Sequence, residues 1–189
     1  MEATRCGWSE KYPILNDYHD KEWGVPSRDE NHIFEMFSLD CFQAGLSWIT
    51  ILNKREAFRK AFDGFKIERV AQYDEKKIEE LLLNPGIVRN KLKIPAVINN
   101  ARVILKMRGE DISFSEYIWS FTEGKTIHNH WKSIGEIPAT SPESDAMSKD
   151  MIKRGFKFAG STICYAFMQS IGMVNDHVVT CFRHPELLK

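Results

Sequence analysis

No stretch of this chain is apolar for long enough to cross a bilayer, and its opening residues, Met1 to Cys6, lack the apolar centre of a secretory signal. Both absences lead to the expectation of a cytoplasmic protein with no membrane partner. The chain also carries no net charge, because 26 Lys and Arg are offset by 26 Asp and Glu. A globally basic nucleic-acid coat is thereby excluded, although a basic face balanced by an acidic one is not. Internal repeats, low-complexity tracts and alternating apolar runs of more than a few residues are missing too, which points away from sheet-based folds. Cysteine is scarce: Cys6, Cys41, Cys164 and Cys181 are the only four. In a reducing compartment each is a buried thiol, a ligand or a nucleophile rather than half of a disulfide.

What is present is a core-forming composition. The 189 residues are 43% hydrophobic and 12% aromatic, enough for one unit of about domain size. Helical signals follow one another along the chain. Ser27, with Asp29 and Glu30 behind it, caps a helix expected to run to about Phe42, with Ile33, Phe34, Phe37 and Cys41 as its apolar stripe. A second helix is expected from Leu46 to Phe62, with Trp48, Ile51, Leu52, Phe58 and Phe62 on one side and Lys54, Arg55, Arg59 and Lys60 facing elsewhere. Asp74 caps a helix through Leu83, and Asn84 to Ile87 (NPGI) break it. Pro95 marks the start or a kink of another, and Ser113 with Glu116 spells a capping box. Ser141–Pro142 opens a helix that Gly155 stops, and a last long helix runs to Gly172. Residues 6–26 show no helical periodicity and read as irregular, with Trp8, Tyr12, Tyr18 and Trp23 crowded together as a core edge or a stacking site. The fold class is all-α.

Three local patterns carry chemistry. Asp40 to Trp48, reading DCFQAGLSW, turns a corner between two helices and places Asp40, Gln43 and Gly45 inside an apolar run. Core packing does not ask for them there, whereas a binding site does. His177 and Cys181 are four apart, so on a short turn of helix they share a face; Cys6 and His19 supply another thiol and imidazole near the opposite end. Either these are chance pairs, or they form a Cys2His2 set that clips an irregular N-terminal segment to the C-terminal one. A structural zinc contributes on the order of 10 kcal/mol in small peptides. Finally, Gly155 to Cys164 (GFKFAGSTIC) joins two helices, with Gly160, Ser161 and Thr162 opening the second and Lys149, Lys153, Arg154 and Lys157 around them. It is either a plain αα-turn or a phosphate-binding hairpin, with Phe158 where such a hairpin carries its first glycine; NPGI is a second candidate.

Taken together, CGW…YHDKEWGVP, LDCFQAGLSW and RGFKFAGSTICYAFMQSIGMVNDH resemble the 3-methyladenine DNA glycosylase I family over nearly the whole chain. The resemblance implies a helix–hairpin–helix body of about residues 27–172. A zinc lobe from about 1–26 and 173–189 would join it, one structural zinc being held by Cys6, His19, His177 and Cys181. It implies a monomer that removes 3-methyladenine from alkylated double-stranded DNA, releasing the free base and leaving an abasic site.

The residues suit that chemistry. Leu46 fills the space left by a flipped base while Gln43 probes the opposite strand. Trp8, Tyr18 and Trp48 form an aromatic pocket that favours a cationic purine. Asp40 reads the N6 edge and is the catalytic candidate, and Gly45, Gly160, Ser161 and Thr162 contact DNA. Helix–hairpin–helix glycosylases carry an aspartate after the hairpin; here its place falls on Asn175, or on Asp176 if the register slips. No lysine stands at the hairpin entrance for Schiff-base chemistry. Two positions depart from the family: Asp40 replaces a glutamate, and Leu15 replaces a pocket tyrosine for which Tyr12 is a substitute candidate. The competing readings are a related glycosylase of altered substrate range or with lyase activity, and a zinc-stabilised module that binds DNA or damaged bases without excising them.

Overall fold

The computed structural model describes residues 4–188; Met1–Ala3 and Lys189, the outermost residues of the expected terminal lobe, lie outside it. Among the described residues the architecture is helical throughout, apart from one pair of two-residue strands. No helix among them is long and apolar enough to cross a membrane.

The first departure from expectation comes early. Residues 6–26 are not irregular throughout, because α1 (Pro13–Lys21) forms inside them with Pro13 in its first turn. Its buried face is Leu15, Tyr18 and His19, a spacing of three and four that mixes an aliphatic, a phenol and an imidazole and so gives no hydrophobic periodicity. The chain then crosses to α2 (Glu30–Gln43). Asp29, not Ser27, is its cap, accepting from the His32 amide at 2.7 Å. Ser27 is engaged elsewhere: its amide donates to Ile171 O at 3.1 Å and its carbonyl accepts from Trp119 Nε1 at 2.8 Å.

Residues Ile33 to Phe42 of α2 are all buried, so this helix is the central element, packed by α3 (Trp48–Ala61), α6 (Lys93–Gly109), α7 (Phe114–Ser120) and α9 (Ser161–Ser170). Between them lie α4 (Ile67–Val70) and α5 (Glu75–Leu83), the latter capped by Asp74 as expected. Helix α3 begins two residues later than the sequence suggests, because Gln43 to Leu46 are used in a turn. Arg55, expected to face outward, is buried instead. Its guanidinium bonds Glu35 at 2.6 Å and Glu22 at 2.7 and 2.9 Å, tying α2 and α3 to the end of α1. A buried arginine survives because carboxylates from two other segments pair it. Pro95 lies in the first turn of α6. Ser113 caps α7, but its hydroxyl donates to Glu30 at 2.9 Å, and no return bond from the Glu116 side chain completes a capping box.

Helix α8 (Pro142–Arg154) starts at a true capping box formed by Ser141 and Ser144, and ends at Gly155 in the left-handed conformation. The link to α9 runs back along α8, so Ser161 Oγ meets Ser144 Oγ at 2.9 Å. After α9 the chain pairs β2 (Val174–Asn175) in parallel with β1 (Ile127–His128), and closes with α10 (Arg183–Glu186). Residues 177–181 lie in the turn between β2 and α10, not on a helix, since the Asn175 side chain accepts from the His177 amide at 3.3 Å and bends the chain there. Gly172 allows a close approach of two backbone segments. A Cβ there would sit 2.3 Å from the backbone of Val25 and Pro26, so the segment after α1 lies directly on the end of α9.

Candidate active site

Asp40 and Gln43 are three apart on α2 and therefore share a face. That face, the start of α3, the end of α1 and one face of α9 enclose a cavity of about 410 Å³. Trp8, Tyr18 and Trp48 all line it, and so do Asp40, Gln43 and Thr162. The aromatic wall is continuous: Tyr18 lies 5.3 Å from Trp48, and Trp8 lies 5.1 Å from Trp23 in an edge-on contact. The Trp48 indole N–H is buried without a partner among the described residues, an unspent donor in the wall. Leu15 is buried away from the cavity and Tyr12 is 40% exposed on the surface, so Tyr12 does not restore a missing pocket tyrosine.

Among the described residues Asp40 is the only carboxyl group in the lining, and only 4% of it is exposed. Burial pushes its carboxyl up to about 8, against which the Ser170 hydroxyl, donating at 3.2 Å, works weakly. Tyr18 is likewise pushed up, first by burial and then by the charge of Asp40. At neutral pH the pocket therefore holds a carboxylic acid that a cation opposite it would readily ionise.

Sequence reasoning missed a second set of lining residues, naming from it only Thr162, as a DNA contact, and Trp23, as part of a core edge or stacking site. Thr162, Tyr165, Ala166 and Gln169 come from one face of α9, and their spacing of three, one and three is a helical stripe that was visible in the sequence. Trp23 lines the cavity too, as do Ile134, Ile137, Pro138 and Ala139 from the loop before α8. No lysine lines it. Lys93 nevertheless matters nearby: it is 6% exposed, and its ammonium donates to Phe42 O at 2.9 Å and Ala44 O at 2.5 Å. Burial lowers its pKa, and the two carbonyls at the C-terminus of α2 are what it neutralises.

Held by that cap, Gln43 to Leu46 form a type II turn. Leu46 N donates to Gln43 O at 2.6 Å, Ala44 has φ −46° and ψ 115°, and Gly45 has φ +79°. The turn presents Leu46 with 42% of its surface exposed; Gln43 and Trp48 on either side of it line the cavity, and Leu46 does not. Gly160, Ser161 and Thr162 open α9, and Thr162 joins this hairpin to the pocket. Phe158, at the hairpin's glycine position, has φ +55°, a conformation that glycine takes more easily. Asn100 holds it there, bracketing Lys157 with bonds of 2.7 and 3.0 Å. The Ser161 hydroxyl is already bonded to Ser144 and Asp145, so the free groups at this helix start are its backbone amides.

The residue pair considered for the post-hairpin aspartate resolves clearly. Asp176 accepts four hydrogen bonds, from Asn129 and Trp131 on one oxygen (2.7 Å each) and from Tyr165 and Gln169 on the other (2.8 Å each). Its acceptor sites are filled, and it does not itself line the cavity. Asn175 is fully buried and bonds His184 O and the His177 amide, bracing the turn that carries His177.

Behind the aromatic wall, Cys6, His19, His177 and Cys181 are all buried, and their ligand atoms lie within 4.8 Å of one another. His177 Nδ1 is 3.1 Å from His19 Nε2, 3.7 Å from Cys6 Sγ and 3.5 Å from Cys181 Sγ. A tetrahedral ion with bonds of about 2.0–2.3 Å sets such edges at roughly 3.3–3.8 Å, so the set can hold one metal ion with no position open to water. The outer nitrogens are occupied as metal-bound histidines require: His19 Nδ1 meets Asp20 at 2.7 Å, and His177 Nε2 meets Trp23 O at 2.9 Å. Asp20 is in turn held by Arg5. The hydrogen bond between the two thiols pulls Cys181 down and pushes Cys6 up.

Comparison with known proteins agrees with this geometry. The methyladenine glycosylase family profile matches residues 8–184. The chain is 47% identical over 181 residues to DNA-3-methyladenine glycosylase 1 of Escherichia coli (strain K12), covering 96% of this chain and 97% of that protein. It superposes on a crystal structure of a 3-methyladenine DNA glycosylase I with a TM-score of 0.94, at 48% identity, covering 96% of this chain and all of that one. The Staphylococcus aureus 3-methyladenine DNA glycosylase I, whose structure addresses recognition of 3-methyladenine, gives a TM-score of 0.92 at 34% identity, with 96% of each chain covered.

Proposed function

The chain belongs to the methyladenine glycosylase family, and on that premise we propose how its residues excise 3-methyladenine from DNA. It is an N-glycosylase: it hydrolyses the bond between the alkylated base and its sugar, freeing 3-methyladenine. The observation that carries the mechanism is the aromatic cavity, which holds a single, deeply buried carboxyl group at Asp40.

A base inside a duplex is out of reach of such a cavity, so it must leave the stack at a cost of about a few kcal/mol. Leu46, offered on its type II turn, enters the vacated space, with Gln43 at the turn's other end directed at the opposite strand. The amides that open α9 at Gly160, Ser161 and Thr162 hold the phosphate backbone, as in a helix–hairpin–helix body. Trp8, Tyr18 and Trp48 then close on the flipped base. Their ring faces favour a cationic purine by about 0.5–2 kcal/mol per contact.

Asp40 adds charge selection. A neutral adenine leaves it protonated, whereas a base bearing the positive charge of N3-methylation stabilises the carboxylate, whose proton passes to solvent, and gains a buried counter-ion. The alkylated base departs without being protonated, so no strong general acid is needed and water is the nucleophile. With no lysine among the described lining residues to form a Schiff base, the reaction ends at an abasic site. The enzyme is thus monofunctional.

Cys6, His19, His177 and Cys181 hold one structural zinc, clipping a lobe of about residues 1–26 and 173–189 onto the body of about residues 27–172. The ion fixes the segment bearing Trp8, Tyr18 and Trp23 against the pocket and takes no part in the chemistry. The protein acts in the cytoplasm as a monomer on double-stranded DNA.

The test is to treat methylated duplex DNA with the enzyme and compare base release with strand integrity. Free base should accumulate while strands stay intact until alkali is added. Breakage that keeps pace with base release, before alkali, would show a lyase instead.

A further inference from the structure

Ser170 has one hydroxyl proton and two acceptors within reach of it. Its Oγ lies 2.8 Å from Phe167 O, one turn back on α9, and 3.2 Å from Asp40 Oδ2 on α2. Both side chains are buried, and this hydroxyl is the one hydrogen-bond partner of the Asp40 carboxyl among the described residues. Asp40 Oδ1 has no partner there and is not sealed off, so it is the oxygen left to the cavity. The ammonium of Lys93 is committed to the carbonyls of Phe42 and Ala44. The titratable groups that face Asp40 are Tyr18 of α1, Cys41 beside it on α2 and Cys164 of α9. Burial pushes all three up, so each is neutral around pH 7. Ser170 is also pinned on both sides by the segment after α1, since Gly24 N donates to Gln169 O at 2.9 Å and Ser27 N to Ile171 O at 3.1 Å.

We propose that Ser170 is a positioning residue for Asp40, holding Oδ2 and following the carboxyl group through its change of charge. In the free pocket Asp40 is the acid. Its Oδ2–H donates to Ser170 Oγ, and the Ser170 proton goes to Phe167 O, so every group is paired. When a cationic base arrives, the Asp40 proton passes to solvent and the Ser170 hydroxyl turns to donate to the carboxylate. Phe167 O is not orphaned by that turn, because the Ile171 amide still donates to it at 3.2 Å. One proton leaves and no buried group is stranded. A hydrogen bond to a charged acceptor is stronger than a neutral one, so Ser170 favours the ionised form. It also suits the departure from the family at Asp40. A carboxyl one methylene shorter than glutamate stays closer to α2, and the Ser170 hydroxyl meets it from α9. This inference rests on the reading of the cavity as the base pocket, and it adds how the buried acid is held and how it ionises there.

The experiment has two arms, each comparing the parent with Ser170→Ala. Carbon-13 NMR of the free protein, labelled at aspartate, follows the Asp40 carboxyl against pH, with its resonance assigned by its loss in Asp40→Asn. The midpoint should lie about one pH unit higher in Ser170→Ala, the difference between a charged and a neutral hydrogen bond. Tryptophan quenching then gives the affinity for 3,9-dimethyladeninium, a permanent cation with a methyl group in place of the sugar. At pH 7 that affinity should fall about tenfold in Ser170→Ala, and by less than about twofold when the same change is made on Asp40→Asn. A midpoint unchanged or lowered would overturn the proposal. So would a raised midpoint with undiminished affinity for the cation, or an equal loss of affinity in the Asp40→Asn background. The first arm uses neither DNA nor base, and release of 3-methyladenine from DNA is scored separately, so failure of the glycosylase reading and failure of this one remain distinct.

Discussion

His19 Nε2 and His177 Nδ1 face each other at 3.1 Å, while the other nitrogen of each ring is committed, His19 Nδ1 to Asp20 and His177 Nε2 to the carbonyl of Trp23. Those outer partners accept, so the outer nitrogens carry the protons and two lone pairs are turned toward each other. Two lone pairs at that distance repel unless a cation sits between them, and two cysteine sulfurs lie within reach of the same point. One zinc per chain is therefore expected by elemental analysis. Cys181→Ala should lose the ion and melt roughly 10 °C lower, the size expected when several kcal/mol leave a chain of this length. A metal-free protein with an unchanged melting temperature would refute the clip.

Asp40 links stability to pH. In the unfolded chain its carboxyl has its ordinary value of 3.8, and in the fold burial raises it to about 8. Between those values the folded chain holds a proton that the unfolded chain releases, so rising pH destabilises the fold across the window and has no further effect above it. Asp40→Asn removes this dependence. The variant should be more stable than the parent at pH 8, and the difference should shrink toward pH 4 in urea melts. A constant difference across that range would show that Asp40 does not titrate as its burial requires.

Leu46→Ala shortens the exposed side chain on the turn without touching the pocket lining. Excision from duplex DNA should slow by roughly tenfold or more if Leu46 holds the flipped state, since flipping costs about a few kcal/mol. Affinity for free 3-methyladenine, measured by tryptophan quenching, should stay the same. Equal losses in both measurements would assign Leu46 to folding rather than to flipping.

Lys93→Met retains the stem and removes the ammonium that caps α2. Two carbonyls lose their partner, a loss of about 1–3 kcal/mol in stability by denaturant titration. The turn that carries Leu46 should loosen with it, so duplex excision should fall more than free-base affinity. If excision were unaffected, Lys93 would be a structural cap alone.

Much of this was legible in the sequence, because the signals were local and chemical. Cysteine and histidine types announced the buried Cys2His2 cluster, although the sequence placed His177 and Cys181 on a helix where the fold has a turn; the four side chains converge because of tertiary packing, not helical spacing. The caps at Asp74, Ser141 and Gly155 were visible because each acts within its own turn. The cap at Asp29 was misplaced by two residues, since Ser27 is an equally good cap by type and only its contacts with Ile171 and Trp119 take it out of play. Helix α1 was hidden because its buried face is Leu15, Tyr18 and His19, which no hydropathy pattern groups. The buried positions of Lys93, Arg55 and Asp176 were not legible in the sequence, which had turned Arg55 outward. Each is a polar group whose burial is justified only by partners from other segments.

The account stands on a pocket that admits a base because it is both an adenine and a cation. The most direct test is to incubate methylated duplex DNA with the protein and separate the released bases chromatographically. Free 3-methyladenine should appear at a rate proportional to enzyme, with far less 7-methylguanine and no unmodified adenine. Failure to release 3-methyladenine, or release of 7-methylguanine at a comparable rate, would contradict it.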